Sequence, residues 1–451
     1  MMREHVESMK TWIVEAGLMA LLLLAVTVTV YAAEELTLEQ AIEAALTNNP
    51  GLKAANSQVD ASQAGAVKSR SGFLPKVTIT EIWSRSDNPL MALGTKLNQE
   101  IVGPADFNPA VMNSPDPASN YNTRLSMMQP VFNGGKEYLG RKQARLANEA
   151  AVQDLLRTKQ ETVFSVIKAY YGVLLAKEYR KVAVQSLETS AANVKLAEAR
   201  FKAGAVLQSD LLRARVQESE VKEMATRAEN GVLLALANLN FAMGVEQERE
   251  YGVSGTLAEK GRRPELTAAL GSALGNRPDL ASLDLNRRNA EASVSQARTD
   301  FAPSLNLIGQ MDWNSNQIVG DDAKSWAIMA VLQWNLFDGM VTTANVRQAS
   351  ATASRMRSLE EQMKAGVQLQ VKQAYYNHQA SLDRISATSS SVQEAEEGLR
   401  IVQKRYEAGM TTLVDVLGAE SALIRTRTNA LQALYDNNVA DAELKLAMGT
   451  L

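Results

Sequence analysis

Arg200-Phe201-Lys202-Ala203-Gly204, continuing through Ser209-Asp210-Leu211-Leu212 to Ala214, is a stretch that this chain uses twice. The second copy reads Arg405-Tyr406-Glu407-Ala408-Gly409 and continues through Val414-Asp415-Val416-Leu417 to Ala419. Each copy sits between two long proline-free runs rich in Ala, Leu, Glu, Gln, Lys and Arg, a composition that reads as helix. A glycine able to take positive φ ends the first run, and an aspartate follows as the next begins. The pattern predicts the tip of a helical hairpin, made twice.

Outward from the tips the duplication continues. A shift of 205 residues superposes Phe132-Asn133-Gly134 on Phe337-Asp338-Gly339, Ala169-Tyr170-Tyr171 on Ala374-Tyr375-Tyr376, and Met243-Gly244 on Met448-Gly449. Nearer the start of each half the shift becomes 228, placing Pro50 on Pro278, Phe73 on Phe301 and Pro75 on Pro303. The 23-residue difference marks a longer insertion in the first half. The chain therefore reads as a tandem duplication. A first repeat covers 33–244, a charged, glycine-containing linker covers 245–263, and a second repeat covers 264–451.

Each repeat has the same order of elements. A short helix opens it, and in the first repeat Thr37 and Gln40 have capping-box spacing. A second helix follows Pro50 or Pro278 and runs to a Phe-x-Pro corner at Phe73-Leu74-Pro75 or Phe301-Ala302-Pro303. The hydrophobic period then changes from 3.6 to 2. Leu305, Leu307, Gly309, Met311 and Trp313 fall on one face, with Asn306, Ile308, Gln310 and Asp312 on the other. Trp326 to Leu336 alternates likewise, as do Tyr121, Thr123, Leu125 and Met127 against Asn122, Arg124 and Ser126. Lys76 to Ser84 matches least, because Glu81 falls among Val77, Ile79 and Trp83. The β-hairpins are thus expected at about 76–132 and 304–337. Strands of about ten residues, apolar outside, polar inside and flanked by tryptophan, match membrane-barrel strands. A hairpin packed on a soluble core is the alternative. Four strands are too few to close a membrane barrel, which needs about eight, so a barrel of this kind is shared among chains in an obligate oligomer.

After each second strand a helix of some 70 residues runs to Gly204 or Gly409, a rod of ~100 Å. Val163, Ile167, Tyr170, Leu174, Ala191, Val194, Ala197 and Phe201 follow a coiled-coil-like spacing along it. The return helices are about half as long and end near Asn240 and Lys445.

Composition narrows the function. Aromatics make up only 5% of the 451 residues, which suits long packed helices. The net charge of −3 comes from mixed signs without a basic run, so no nucleic-acid partner is expected. The chain has no cysteine, which excludes disulfides, thiolate metal sites, a cysteine nucleophile and a lipid-anchoring N-terminal cysteine. Its two histidines, His5 and His378, are far apart, and His378 is alone in a helical run. No catalytic centre, cofactor or metal is expected, and the 17 scattered methionines read as packing. Residues 1–32 read as an export signal: Arg3 and Lys10 precede an apolar run from Ala16 to Val30, and Val30-Tyr31-Ala32 supplies small cleavage-site residues. The run is shorter than the ~20 residues a spanning helix needs; a retained anchor is the alternative.

The duplicated helix–strand–strand–helix halves, the Phe-x-Pro corners, Gln129-Pro130-Val131-Phe132-Asn133-Gly134-Gly135, the paired tips and the ending Leu446-Ala447-Met448-Gly449-Thr450-Leu451 resemble TolC-type outer-membrane efflux proteins. The resemblance covers essentially the whole chain after the export signal. It implies a homotrimer whose 12-stranded barrel crosses the outer membrane and continues as a periplasmic α-helical tunnel. It also implies a passive exit duct for efflux of drugs, solvents or metals, or for type I protein secretion. The partners would be outer-membrane lipid, a periplasmic adaptor and an inner-membrane pump of the resistance-nodulation-division or ABC type. Gly204, Ala205, Gly409, Met410 and Thr411 would meet the adaptor. Asp210 and Asp415 would form a lumen-facing ring of six carboxylates, some with raised pKa values through mutual repulsion. Their alternative role is to begin the return helices, where carboxylates suit the helix dipole. Tyr406 matches the tyrosine that holds the closed tip in well-studied members. Thr411 stands where those members have an arginine and Gly418 where they have a further aspartate, so closure here is looser or differently wired. A periplasmic coiled-coil adaptor or a structural coiled coil remains an alternative, although neither needs four amphipathic strands.

Overall fold

The computed structural model describes residues 35–249, 251–261 and 264–451, so the expected export signal lies outside the described residues. A short strand, β1 (Glu35–Leu36), leads into α1 (Leu38–Asn48) and α2 (Pro50–Lys68). Thr37 and Gln40 close a reciprocal capping box at the start of α1. The Asn49 side chain accepts from the Gly51 and Leu52 amides at the start of α2, where Pro50 sits at a position that needs no amide hydrogen. Next come β2 (Lys76–Ser86), an insert with α3 (Pro89–Asn98) and α4 (Pro109–Asn113), then β3 (Ala118–Asn133). The long hairpin of α5 (Lys136–Lys202) and α6 (Gln208–Met243) follows, and β4 (Gly252–Val253) lies in the linker. The second half repeats the order as α7 (Leu266–Asn276), α8 (Pro278–Arg298), β5 (Ser304–Ser315), β6 (Ala323–Gln333), α9 (Val341–Glu407) and α10 (Leu413–Met448). The long helices α5 and α9 have 67 residues each and the return helices 36 each. The two long hairpins match residue for residue at a shift of 205, and each reaches ~100 Å.

The two halves contribute one antiparallel sheet in the order β2-β3-β5-β6. Its register aligns Ile79, Leu125, Met311 and Trp326 on one face, and Thr80, Arg124, Asp312 and Ser325 on the other. The apolar row is exposed, Ile79 by 73% and Trp326 by 72%. Glu81 falls on that face, where the Thr123 hydroxyl donates to its carboxylate. The ladder shifts between Pro130 and Phe132, because proline has no amide hydrogen to give.

The helical core is also built twice. Ala41 and Ala45 of α1 pack with Val166, Ala169, Leu239 and Ala242. Their counterparts Ala269, Ala273, Val371, Ala374, Leu444 and Ala447 form the matching cluster. Alanine on the short helices lets them sit close to the long pair. The linker is more than a connection. β4 pairs in parallel with β1, and the Tyr170 hydroxyl lies 3.1 Å from the Leu36 carbonyl and 2.5 Å from that of Ser254. Asn438 donates to the Ala258 carbonyl at 2.9 Å, and the Lys260 amide donates to Asn437 at 2.8 Å. The segment straps both halves together, with His378 buried beside Gly261. Among the described residues no helix is long and apolar enough to cross a membrane.

Candidate functional site

Both long helices end in the same way. Gly204 and Gly409 take φ of 69° and 73°. The Gly204 amide donates to the Phe201 carbonyl and the Ala205 amide to that of Arg200; Gly409 and Met410 repeat this with Tyr406 and Arg405. Left-handed glycines thus satisfy the last helical carbonyls and turn the chain back. Gly204, Ala205, Gly409 and Met410 are exposed on these turns, and Thr411 is half-buried.

Beyond the turns the tips diverge. Three donors converge on Asp415 Oδ2: the Thr411 hydroxyl at 2.6 Å, the Thr412 hydroxyl at 2.7 Å and the Thr412 amide at 3.0 Å. These bonds, that of Thr411 foremost, pull the Asp415 carboxyl down to about 2, so it is ionised at any pH near neutral. Their effect is opposite in direction to that of mutual repulsion. At the first tip Leu207 replaces Thr412, and the Leu207 amide reaches Asp210 Oδ2 at 3.4 Å. Capping therefore describes Asp415 well and Asp210 less well. Thr411, which stands at the arginine position of the resembled family, is spent on orienting Asp415.

Tyr406 is buried where the two hairpins meet, packed with Val194, Ala197, Leu211, Ala214, Leu413 and Val416. The Arg200 guanidinium stands 4.3 Å from its ring centroid, and Arg200 Nη1 lies 3.5 Å from the Tyr406 carbonyl. The link is a stacked cation, and among the described residues the tyrosine hydroxyl has no hydrogen-bond partner. Arg200 is the residue that sequence reasoning missed, although it opens the repeated stretch in both copies. Phe201, the repeat counterpart of Tyr406, is expected on the seam but is 39% exposed against 7% for Tyr406. Phe201 lies outside the cluster that buries Tyr406 between the hairpins.

A second polar feature lies behind the tips. Glu420 on α10 is buried, and Asn193 Nδ2 donates to both its oxygens at 2.8 and 2.9 Å. A cavity of about 200 Å³ beside it is lined by Gln185, Ser190, Gln217, Gln403 and Arg427. Burial raises the Glu420 carboxyl above its ordinary 4.5, partly offset by Asn193. The folded state then holds this proton more tightly than the unfolded chain, so ionisation lowers stability as pH rises above 4.5. Glu420→Gln, which removes the buried charge, is accordingly expected to stabilise the protein at neutral pH. The gain should vanish below the ordinary glutamate range; urea midpoints measured across pH check this, and a pH-independent gain would refute it.

A family model described as outer membrane efflux protein matches residues 41–245 and 269–450. The chain belongs to the outer membrane efflux protein family. It is an outer-membrane channel of the class that serves efflux and secretion, extends into the periplasm and is not an enzyme. Among its relatives, the alkaline protease secretion protein AprF of Pseudomonas aeruginosa is 25% identical over 420 residues, 90% of this chain and 83% of that one. Outer membrane protein TolC of Vibrio cholerae is 25% identical over 423 residues, 90% and 88% of the two chains. The outer-membrane efflux protein fold is likewise that of the Campylobacter jejuni CmeC outer membrane channel, at a TM-score of 0.80 and 18% identity over 92% of this chain and 85% of that one.

Proposed function

We propose that three copies of the chain assemble into a continuous exit duct, with a twelve-stranded barrel in the outer membrane and six helical hairpins forming a periplasmic tunnel. The observation that carries this reading is a four-stranded sheet whose edge strands, β2 and β6, are unpaired among the described residues, with an exposed apolar face. Unpaired edges need partners, and four strands cannot close a barrel of about eight or more. An adaptor or structural rod would leave that sheet unexplained. In this reading residues 1–32 direct export, 33–244 and 264–451 are the two repeats, and 245–263 joins them at the waist of the tunnel. The tips, exposing Gly204, Ala205, Gly409, Met410 and Thr411, meet a periplasmic adaptor that links the duct to an energised inner-membrane pump of the resistance-nodulation-division or ABC type. Relatives named for protease secretion and for cobalt-zinc-cadmium resistance support both secretion and efflux as uses of such a duct. Heat-modifiable trimers in outer-membrane fractions are expected; monomer released by osmotic shock would overturn the reading.

Asp210 and Asp415 would ring the periplasmic entrance, with Tyr406 holding neighbouring hairpins together. Ionised carboxylates facing a narrow wet lumen favour cations. Asp210→Ala combined with Asp415→Ala is expected to reduce cation selectivity and divalent-cation block in planar bilayers. Unchanged reversal potentials and block would remove the ring.

A further inference from the structure

The first repeat carries an insert, 87–117, where the second repeat has only the turn 316–322. The insert is a folded unit. Asn88 caps α3 by accepting from the Leu90 and Met91 amides, and Asn108 caps α4 by accepting from the Ala110 amide. Lys96 Nζ meets Asp106 Oδ1 at 2.7 Å, and Asp106 Oδ2 accepts from the Gly103 amide at 2.8 Å, which pins the middle of the insert to α3.

This unit lies down on the polar face of the sheet. Gln99 Nε2 donates to the Ser119 carbonyl at 2.8 Å and to Asn120 Oδ1 at 2.9 Å. Asn120 donates onward to Asn314 Oδ1 at 2.8 Å, Asn122 to Asp312 Oδ1 at 3.1 Å, and Arg124 Nε to Asp312 Oδ1 at 2.7 Å. A single polar network thus runs from the insert down the wall. Helix α3 touches both β3 and β6, so it crosses over β5, which lies between them. Gln99, Asn120, Asp312 and Asn314 are each no more than 7% exposed, and Ala92 of α3 and Ala323 of β6 are buried with them. A sheet face that lines an open watery pore leaves its polar side chains wet. Here the rows at the end of the sheet away from the helices are covered.

We propose that the insert 87–117 is a constriction built into the outer mouth of the barrel, which sets the size of what can leave. The inference rests on the trimeric-barrel reading, in which the polar face lines the lumen and each chain brings one insert to the mouth. It assigns to Gln99, Lys96 and Asp106 a positioning role, since they hold the insert inward and touch no cargo by necessity.

The chain has no cysteine, so Thr78→Cys supplies a unique thiol. Thr78 is exposed on the polar face, one row nearer the helices than the Thr80–Arg124–Asp312 row. Intact cells carrying this full-length variant are treated from outside with a small charged maleimide or a bulky polyethylene-glycol maleimide. The same pair is used after 87–117 is replaced by the chain's own turn 316–322, which the register of Ser86 with Ala118 leaves room for. The small reagent is expected to label both, whereas the bulky one should lag by an order of magnitude or more until the insert is removed. Gln99→Ala, which removes the anchor to Ser119 and Asn120 while leaving every strand residue unchanged, should move the bulky reagent's rate in the same direction. Bulky labelling equally fast with and without the insert overturns the constriction. If neither reagent reaches Thr78→Cys from outside in any variant, yet both do after permeabilisation, the lumen reading itself fails and the constriction falls with it.

Discussion

Replacing Gly244 with alanine is expected to destabilise the folded chain by ~2–5 kcal/mol, and Gly449→Ala by nearly as much. Both glycines end a return helix in the left-handed region, at φ of 71° and 74°. A side chain there costs roughly 1–2 kcal/mol through the clash of Cβ with the following carbonyl. The larger part comes from the surroundings. A Cβ on Gly244 would stand 2.6 Å from Asn49 Cα and 2.9 Å from Asn49 N. One on Gly449 would stand 2.9 Å from the Asn276 carbonyl carbon and 3.0 Å from Arg277 N. These are backbone atoms at the junctions between the short helices, so they cannot swing aside, and overpacking of that kind adds ~1–3 kcal/mol. Moving Asn49 would also break its bond to the Ala242 carbonyl, 3.0 Å long. Gly204→Ala and Gly409→Ala supply the control, since they take the same left-handed φ with nothing among the described residues within reach of a new Cβ. They should lose only the conformational term of roughly 1–2 kcal/mol. Urea unfolding of the purified protein in detergent separates the two classes. Equal losses at Gly204 and Gly244 would show that the close approach to Asn49 carries no energetic weight.

Those four glycines also show what a sequence makes legible and what it does not. Positive φ at Gly204 and Gly409 follows from their place between two helical runs, because few other residues end a helix that way. The crowding at Gly244 depends on Asn49, nearly two hundred positions away, and no local pattern announces it. The strands were readable for the same local reason: Leu305 to Trp313 alternates with period 2 whatever lies beside it. Glu81 breaks that pattern, and the Thr123 hydroxyl that donates to it is a cross-strand neighbour visible only once the register is known. The two-residue pairing of β1 with β4 is too short to leave any periodic signal. The duplication helped most where the halves agree and misled where they differ. Glu420 has Arg215 as its counterpart, so the buried carboxylate has no precedent in the first repeat; Arg215 instead pairs with Glu198 at 2.8 Å. The insert shows the same limit. Asn88-Pro89 and Asn108-Pro109 are local helix-start signals, but the direction in which the unit folds is decided by Gln99 finding Asn120 on the polar face.

Tyr406→Ala is expected to raise channel conductance several-fold, with Tyr406→Phe nearly silent and Arg200→Ala in between. The ring is the largest side chain in the seam between the two hairpins of one chain, and truncating a buried aromatic residue costs ~3–5 kcal/mol when the site cannot collapse. The rods on either side are long and held elsewhere along their length by separate clusters, so the loss is confined to the tip rather than spread through the fold. Arg200 contributes less, because a guanidinium over an aromatic ring is worth ~0.5–2 kcal/mol and the residue is only half-buried. A closed tip favoured a hundredfold over an open one is held by only ~3 kcal/mol, so the ring alone is enough to bring the two states to parity. Among the described residues the hydroxyl has no hydrogen-bond partner, which is why phenylalanine should preserve the closed state. This distinguishes a packing latch from a hydrogen-bonded one, and the distinction follows from Thr411 and Gly418, which leave neither an arginine nor a second aspartate at those positions of the second tip. Single-channel recording in planar bilayers measures the outcome directly. Equal opening by Tyr406→Phe and Tyr406→Ala would mean that the hydroxyl holds the tip, and a closed Tyr406→Ala channel would mean that the seam does not govern closure.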